Sequence, residues 1–279
     1  MDIYEFLQGL IIGVLLAFFI SFIIIYAICK IWKKCGLKPS KHQNDDNTKY
    51  KFSILDYKKP LPDEFSLKDK MIRFVQSHND CGSVSTIHQL MVLKEIKDQL
   101  SVLYQYYFAR KLDGNENVDS GTSLDKNMEA VIFHGYVEDQ IYRYDDNNLF
   151  KQPENNILEI GNKNIHQFKG YRRLIQNLWN VKFVISILKT PIVFGAKIYQ
   201  SFFFLDGKNC IQMPNENEKI NDQALIGFHA MTLISFSDKD QMFEVQNSWD
   251  FGDSQGCHFI PYSYILDHSL SFDFYILEK

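Results

Sequence analysis

The chain has 279 residues, of which 46% are hydrophobic and 15% aromatic, so it can bury a sizeable core and is not a disordered chain. Its formal charge is −4 and its sequence pI is about 6.1. This balance gives no electrostatic reason to expect a nucleic-acid partner.

Residues 10–32 form the first predicted element, a membrane-spanning helix that follows a short tail at residues 1–9. Leu10 to Cys29 carry no charge and are rich in Ile, Leu, Phe and Val. At about 1.5 Å per residue, such a helix spans a hydrocarbon core of about 30 Å. A secretory signal peptide is the alternative, but Asp2 and Glu5 precede the apolar run where a basic region is expected.

Lysines accumulate directly after the predicted span, at positions 30, 33, 34, 38 and 41, whereas the N-terminal tail has no Lys or Arg. The positive-inside rule therefore predicts that the C-terminal part lies on the cytoplasmic side. Cys35 is close enough to the bilayer to be palmitoylated, although an unmodified surface thiol is the simpler interpretation.

A polar linker is predicted at residues 33–60, ending at Pro60 and Pro62, with one folded domain at residues 61–279. In this domain, apolar spacing after Gly82 predicts a long helix, and two further helices are expected at 123–133, with Ser123 as N-cap, and at 176–188. Four β-rich segments follow, at 191–199, 229–237, 241–249 and 257–265. Helices first and strands later predict an α+β fold whose two halves face each other across a cleft.

The five cysteines have neither the spacing of a disulfide framework nor that of a metal knuckle, so we expect reduced thiols in a cytosol-like compartment. A metal site at Cys257 and His258 is not expected, because no second close pair of ligands accompanies them. The sequence has no phosphate-binding loop and no stacking platform, and it predicts no cofactor.

His229 and Asn247 are the most informative pair. His229 opens one predicted strand and Asn247 closes the next, so a hairpin can bring the two side chains together. An amide oxygen that binds one ring nitrogen of a His leaves the other nitrogen free to face a nucleophile. Trp249 can shield that hydrogen bond from water.

His-Ala before a strand, followed by Asn-Ser-Trp, Gly-Asp and Pro-Tyr-x-Tyr-Ile, resembles the C-terminal half of papain-like cysteine peptidases. Several further segments resemble the bacterial and large-DNA-virus branch of this family in the same order, over residues 61–279; they are LSVLYQYYFARKLDGN, VDSGTSLDKNMEAVIFHGYVEDQIYRYD and PIVFGAKIYQSF. The resemblance implies a papain-like fold of two subdomains and a Cys-His-Asn triad containing His229 and Asn247.

The nucleophile is where this chain departs from the family, whose Gln-Gly-x-x-Gly-Ser-Cys element opens the central helix. The matching stretch, VQSHNDCGSVSTIHQL, contains one cysteine. Without gaps, the nucleophile position falls on Val84 and His78 replaces the oxyanion Gln, which implies a catalytically dead protein that binds peptides or has a structural role.

With Cys81 as the nucleophile, Gln76 can be the oxyanion donor if the loop is one residue shorter, and the triad is complete. A shift of three residues nearly preserves the helical phase, so periodicity leaves both registers open. The active register implies a membrane-anchored peptidase that acts on peptides or proteins. The family's secreted members carry a long inhibitory propeptide, and the linker is too short to supply one.

Overall fold

The computed structural model describes residues 16, 35–41, 60–220 and 224–279. The predicted membrane span at 10–32 lies outside the described residues except for Leu16, and so does most of the predicted linker. Among the described residues, no helix combines the length and the apolar character that crossing a bilayer requires.

Seven α-helices are found in the described residues: α1 (Cys81–Lys94), α2 (Val102–Leu112), α3 (Leu124–His134), α4 (Asn155–Asn162), α5 (Leu178–Ser186), α6 (Glu216–Ile220) and α7 (Tyr262–Leu266). The long helix predicted after Gly82 is in fact two helices. α1 ends at Lys94, because the next residue, Glu95, adopts a left-handed conformation with φ 56°, and the side chain of Ser101 caps the start of α2.

The helix predicted at 123–133 is α3, and Ser123 precedes it in extended conformation but makes no side-chain capping bond. α5 is shorter than its prediction, because Asn177 caps it with a bond to Asn180 N. α4 was not predicted.

Nine strands are found in the same residues: β1 (Leu37–Lys38), β2 (Glu64–Ser66), β3 (Thr122–Ser123), β4 (Gly170–Arg173), β5 (Ile192–Ile198), β6 (Gly227–Ser237), β7 (Met242–Gln246), β8 (Cys257–Pro261) and β9 (Ser271–Glu278). The four predicted β segments correspond to β5–β8. The last of these ends early, because the chain turns into α7 at Tyr262.

β2 and β4–β9 form one antiparallel sheet with the order β4-β9-β5-β6-β7-β8, and β2 pairs with β6. β6 lies in the middle of this sheet, and its residues from His229 to Ile234 are all buried. Strands with covered edges and faces are rigid supports for functional groups, and His229 belongs to β6.

The described domain has a helical half and a sheet half, so the predicted α+β architecture is confirmed. One apolar cluster joins α5 to the sheet, and a second packs α1 and α3 against it. α1 is buried along almost its whole length, and it contacts β6 extensively. The N-terminal end of α1 therefore meets β6 at the boundary between the two halves.

Residues 35–41, within the predicted linker, are packed onto the domain. β1 pairs in parallel with β3, and Thr122 N donates to Gly36 O at 2.9 Å. Leu37 is buried in the same apolar cluster as Cys81. These residues are therefore a structural part of the domain, in contrast to the solvated spacer expected from their polar composition.

Candidate active site

Cys81 is the first residue of α1, and Val84 lies one turn further along the same helix. Val84 N donates to Asp80 O at 3.0 Å, and the Val84 side chain is only 1% exposed in the apolar cluster. Because the N-terminal residue of a helix meets the dipole and the unpaired N–H groups, the thiol has the position that suits a nucleophile. Val84 packs in the core.

The Cys81 sulfur is enclosed by backbone. Burial raises the pKa of the Cys81 thiol to about 12, and N–H groups of Ala230, Gly36 and Gly82 directed at the sulfur offset part of that effect. Ala230 follows His229 in β6, so the sulfur lies against the backbone of β6 one residue from the histidine, and His229 Nδ1 makes no hydrogen bond to it. The Asp80 carboxylate, which precedes the helix, also raises this pKa.

His229 and Asn247 are in direct contact, as their hairpin spacing predicted. His229 Nε2 lies 2.8 Å from Asn247 Oδ1, which also accepts a bond from Trp249 N at 3.2 Å. The Trp249 ring stacks on the imidazole with centroids 3.8 Å apart. His229 Nδ1 is buried and has no hydrogen-bond partner among the described residues, so it is available to a reacting group.

Burial lowers the pKa of His229 to about 3, and the hydrogen bond to Asn247 raises it only in part. Burial raises the pKa of Cys81 at the same time. Both shifts have one cause, since an apolar environment disfavours the charged form of either group. In this arrangement the pair is a neutral thiol and a neutral imidazole at physiological pH.

Gln76 lies beside the same hairpin. Gln76 N donates to Ser248 O at 2.8 Å, Ser248 Oγ donates to Gln76 Oε1, and Gln76 Nε2 donates to His78 O at 2.7 Å. These bonds attach Gln76 to the residue that follows Asn247. His78, the alternative oxyanion residue, instead has its Nε2 3.2 Å from Asp146 Oδ1, away from the hairpin.

The segment Cys35–Ser40 covers this site. Its backbone packs closely against Asn79 and Gly121: a Cβ on Gly36 would lie 2.1 Å from Asn79 O, and one on Gly121 would lie 1.5 Å from Gly36 O. Ser40 anchors the far end, with bonds from its N to Asp273 Oδ2 at 2.7 Å and from its Oγ to Asp125 Oδ1 at 3.0 Å. With this segment in place, Cys81 and His229 are both fully buried in the domain.

Among the described residues, Cys257 and His258 do not belong to a common group of possible metal ligands. The Cys257 sulfur and the carboxylates of Glu244 and Asp253 do lie within 4.8 Å of one another. Lys68 Nζ binds both carboxylates, at 2.5 Å and 2.8 Å, so an ammonium group already balances their charge. This group is an ion-pair cluster that ties β2 to the β7–β8 region.

Sequence reasoning missed two features of the site. One is the covering segment Cys35–Ser40, which has the composition of a linker. Leu37 is its only large apolar residue. The other is His258, whose Nε2 lies 3.4 Å from Asn247 Nδ2. His258 was weighed only as a metal ligand, although its place opposite Val245 in the hairpin register predicts a neighbour of Asn247.

A helix-terminal thiol, an imidazole oriented by an amide and a nearby glutamine side chain can together perform nucleophilic attack on a carbonyl. Proteins with this arrangement on an α+β framework of two halves are the papain-like cysteine peptidases. Comparison with known proteins agrees with this class.

No protein-family model matches the sequence. The chain is 26% identical over 188 residues to an uncharacterized peptidase C1-like protein of Acanthamoeba polyphaga mimivirus, a match that covers 64% of this chain and 58% of the viral protein. The chain thus spans less than two thirds of this relative.

Among solved structures, xylellain, a cysteine protease from Xylella fastidiosa, superposes with a TM-score of 0.74 at 22% identity, covering 88% of this chain and 97% of that one. Digestive procathepsin L 3 of Tenebrio molitor has a TM-score of 0.61 at 13% identity and covers 90% and 79%. The chain therefore has the papain-like fold, and the predicted resemblance to papain-like cysteine peptidases of bacteria and large DNA viruses is confirmed.

Proposed function

We propose that the chain is a papain-like cysteine peptidase, anchored in a membrane by residues 10–32, that cleaves peptide bonds with Cys81, His229 and Asn247. The observation that carries the proposal is the thiol at the first residue of α1, held against the backbone of β6 next to His229. The bond between His229 and Asn247 supports the same assignment.

In the proposed reaction, the Cys81 sulfur attacks the carbonyl carbon of the substrate, and His229 takes up the thiol proton and delivers it to the leaving amine. The C–N bond breaks and a thioester remains, which water hydrolyses with His229 as the base. The Cys81 N–H and the Gln76 side chain stabilise the oxyanion, which typically contributes about 3 to 4 kcal/mol per donor. Asn247 keeps the imidazole oriented.

We further propose that this peptidase is latent while Cys35–Ser40 occupy the cleft. The group of Gly36 that faces the sulfur is its N–H, whereas a substrate must present a carbonyl carbon. The segment therefore contacts the Cys81 sulfur without presenting a carbonyl carbon for attack, as an inhibitor does. Activation requires the segment to leave, which would expose the pair to water and remove the burial that holds both groups neutral.

The test is labelling of the purified chain with an epoxide-type thiol probe. In the Gly36→Val background we expect Cys81→Ala to abolish labelling and peptide cleavage, and Cys257→Ala, which removes another fully buried thiol, to preserve both. The same assays are run on Gly36→Val, designed to displace the covering segment. Labelling that persists in Cys81→Ala would contradict the proposal.

The second candidate is a membrane-anchored protein that binds peptides without cleaving them. It is favoured by one observation, namely that a peptide segment already fills the cleft over a thiol whose pKa is raised to about 12. This candidate predicts that neither the wild type nor Gly36→Val is labelled or cleaves peptides, while Gly36→Val binds a peptide corresponding to residues 35–41.

Membrane attachment is tested separately from catalysis. With residues 10–32 in the bilayer and the lysines on the cytoplasmic side, we expect the chain to stay in the pellet after alkaline carbonate extraction. A protease added to the cytoplasmic side should digest the C-terminal domain. Release by carbonate would contradict the anchor without bearing on the peptidase.

A further inference from the structure

His258 lies on the far side of Asn247 from His229. The Asn247 amide group is held by three neighbours: its Oδ1 accepts from His229 Nε2 at 2.8 Å and from Trp249 N at 3.2 Å, and its Nδ2 lies 3.4 Å from His258 Nε2. An amide nitrogen only donates, so His258 Nε2 must be the acceptor and the His258 proton must be on Nδ1.

The position of the His258 ring is strongly constrained. The ring is fully buried, and Phe251 packs against it with centroids 4.6 Å apart. Gly252 has φ +111° and crosses the ring so closely that a Cβ would lie 2.6 Å from His258 Cε1. Only glycine permits this approach, so the loop between β7 and β8 is shaped around the histidine.

The His258 ring also remains neutral where the proposed reaction needs it to be. Burial lowers its pKa to about 4, and the Asp253 carboxylate and the Phe251 carbonyl offset this only in part. A charged His258 would donate at Nε2 and could no longer accept from Asn247. It would also oppose the imidazolium at His229, whose pKa it already lowers.

We propose that His258 is a positioning residue for the Asn247 amide, so that the relay His258–Asn247–His229 sets the tautomer and orientation of the imidazole beside Cys81. This inference rests on the proposed peptidase function. His258 does not touch the reacting atoms, and its effect is transmitted through Asn247. Loss of its acceptor leaves Asn247 Nδ2 without this partner and allows the amide to rotate.

The experiment compares His258→Leu, which removes the acceptor, with His258→Gln, whose side-chain oxygen can accept in its place. Phe259→Leu is the matched control, because it is the next residue of β8 and its side chain is 39% exposed. The full chain is purified in detergent. Peptide cleavage is measured with each substitution combined with Gly36→Val, because the covered wild type is expected to be latent. Thermal unfolding and the ¹⁵N shifts of the imidazoles are measured with each substitution in the wild-type chain.

We expect His258→Leu to lower kcat by about tenfold to a hundredfold with little change in KM, because a small misplacement of a reacting group has effects of that size. His258→Gln should restore most of kcat, and Phe259→Leu should leave kcat within about twofold of the Gly36→Val parent. In the imidazole spectra, the wild type should have His229 protonated on Nε2 and His258 on Nδ1. His229 should populate both tautomers in His258→Leu.

The inference is overturned if His258→Leu keeps both the kcat of the Gly36→Val parent and a single His229 tautomer, or if His258→Gln is as defective as His258→Leu while remaining folded. The imidazole spectra also separate this inference from the proposed function. If Gly36→Val cleaves no peptide, the peptidase proposal fails, whereas the His229 tautomer in His258→Leu still decides the role of His258.

Discussion

At the residue scale, the central question is which of two positions near the start of α1, 81 or 84, faces His229. Cys81 begins the helix beside the backbone of Ala230, whereas Val84 is one turn further in and packed among apolar side chains. Both occur on the same buried helix, so burial alone does not distinguish them. They differ in their position along the helix axis: Cys81 lies at the terminus that contacts β6, and Val84 lies one turn further along.

Exchanging the two residues tests this difference directly. We expect the double variant Cys81→Ala, Val84→Cys to remain inactive and unlabelled by a thiol probe, because a thiol at position 84 would lie in the core, away from the helix terminus. The single variant Val84→Cys should retain the wild-type labelling at Cys81. Restoration of cleavage by the double variant would show that position 84 is the nucleophile position and that the gapless register applies.

The second residue-scale feature is the charge state of Cys81 and His229. Burial raises the pKa of the thiol to about 12 and lowers that of the imidazole to about 3, so neither group is charged between pH 5 and 9 while the cleft is covered. An active pair of this type needs a thiolate and an imidazolium. The covered state is therefore unreactive for an electrostatic as well as a steric reason.

The pH dependence of alkylation follows from these shifts. We expect the rate of reaction with iodoacetamide at Cys81 in the wild type to be low and nearly flat from pH 5 to 9. In Gly36→Val, where water reaches the pair, the Cys81 pKa should fall and the rate should rise by at least about tenfold at pH 7. A wild-type rate that climbs steeply around pH 8 would indicate an exposed thiol of ordinary pKa.

At the element scale, β1 is only two residues long, yet it holds the covering segment in place. It pairs with β3 near Cys81, Leu37 fills space against Gly195, and Ser40 binds two carboxylates. Each contact is modest, since a single hydrogen bond contributes about 1 kcal/mol net. We therefore expect that the covering segment can be displaced without unfolding the domain.

Gly36 is a position in the segment at which an added side chain has no room. A side chain there meets Asn79 O at 2.1 Å from the Cβ, so Gly36→Val should expel the segment and raise both peptidase activity and thiol labelling, by about tenfold or more. Lys38→Ala is the control, because it removes only the bond from Lys38 Nζ to Ser120 Oγ. Equal activity of Gly36→Val and Lys38→Ala would exclude latency through this segment.

At the scale of the whole molecule, the part of the chain that the structure describes contains three histidines whose pKa burial lowers far enough to keep them neutral. Burial lowers the pKa of His88 to about 4, that of His229 to about 3 and that of His258 to about 4. The ordinary value is about 6.5, so the unfolded chain binds more protons than the native one below that pH. Stability from these groups is complete above about pH 6.5 and is lost as the pH falls.

The free energy of unfolding should therefore decrease steeply between pH 6.5 and 5, with a slope approaching about 4 kcal/mol per pH unit for three protons. Denaturant unfolding at several pH values measures it. His88→Gln, remote from the site on the buried face of α1, should reduce the slope by about a third, provided that it folds. An unchanged slope would mean that His88 does not stay neutral in the native chain.

Some of this architecture could be predicted from local patterns. Helical spacing predicts α1 and α3, alternation predicts β5–β8, and the His-to-Asn hairpin predicts the closest contact of the site. The break between α1 and α2 could not be predicted from apolar spacing, because it depends on a left-handed residue at Glu95 and on the Ser101 cap. β4 and β9 pair with each other across more than 90 residues, and such pairings leave little local signal.

By itself, the sequence determined the α+β order of elements through helical spacing and strand alternation, and hairpin length predicted that His229 and Asn247 meet. The papain-like fold was implied by the resemblance of ordered segments to that family. Only the tertiary structure showed that Cys81 is the first residue of the central helix and that Val84 lies one turn further along. The tertiary structure alone also showed that residues 35–40 pack over Cys81 and that His258 contacts Asn247. These features are contacts between segments distant in the chain, and their residues carry no periodicity that would reveal which surfaces they meet.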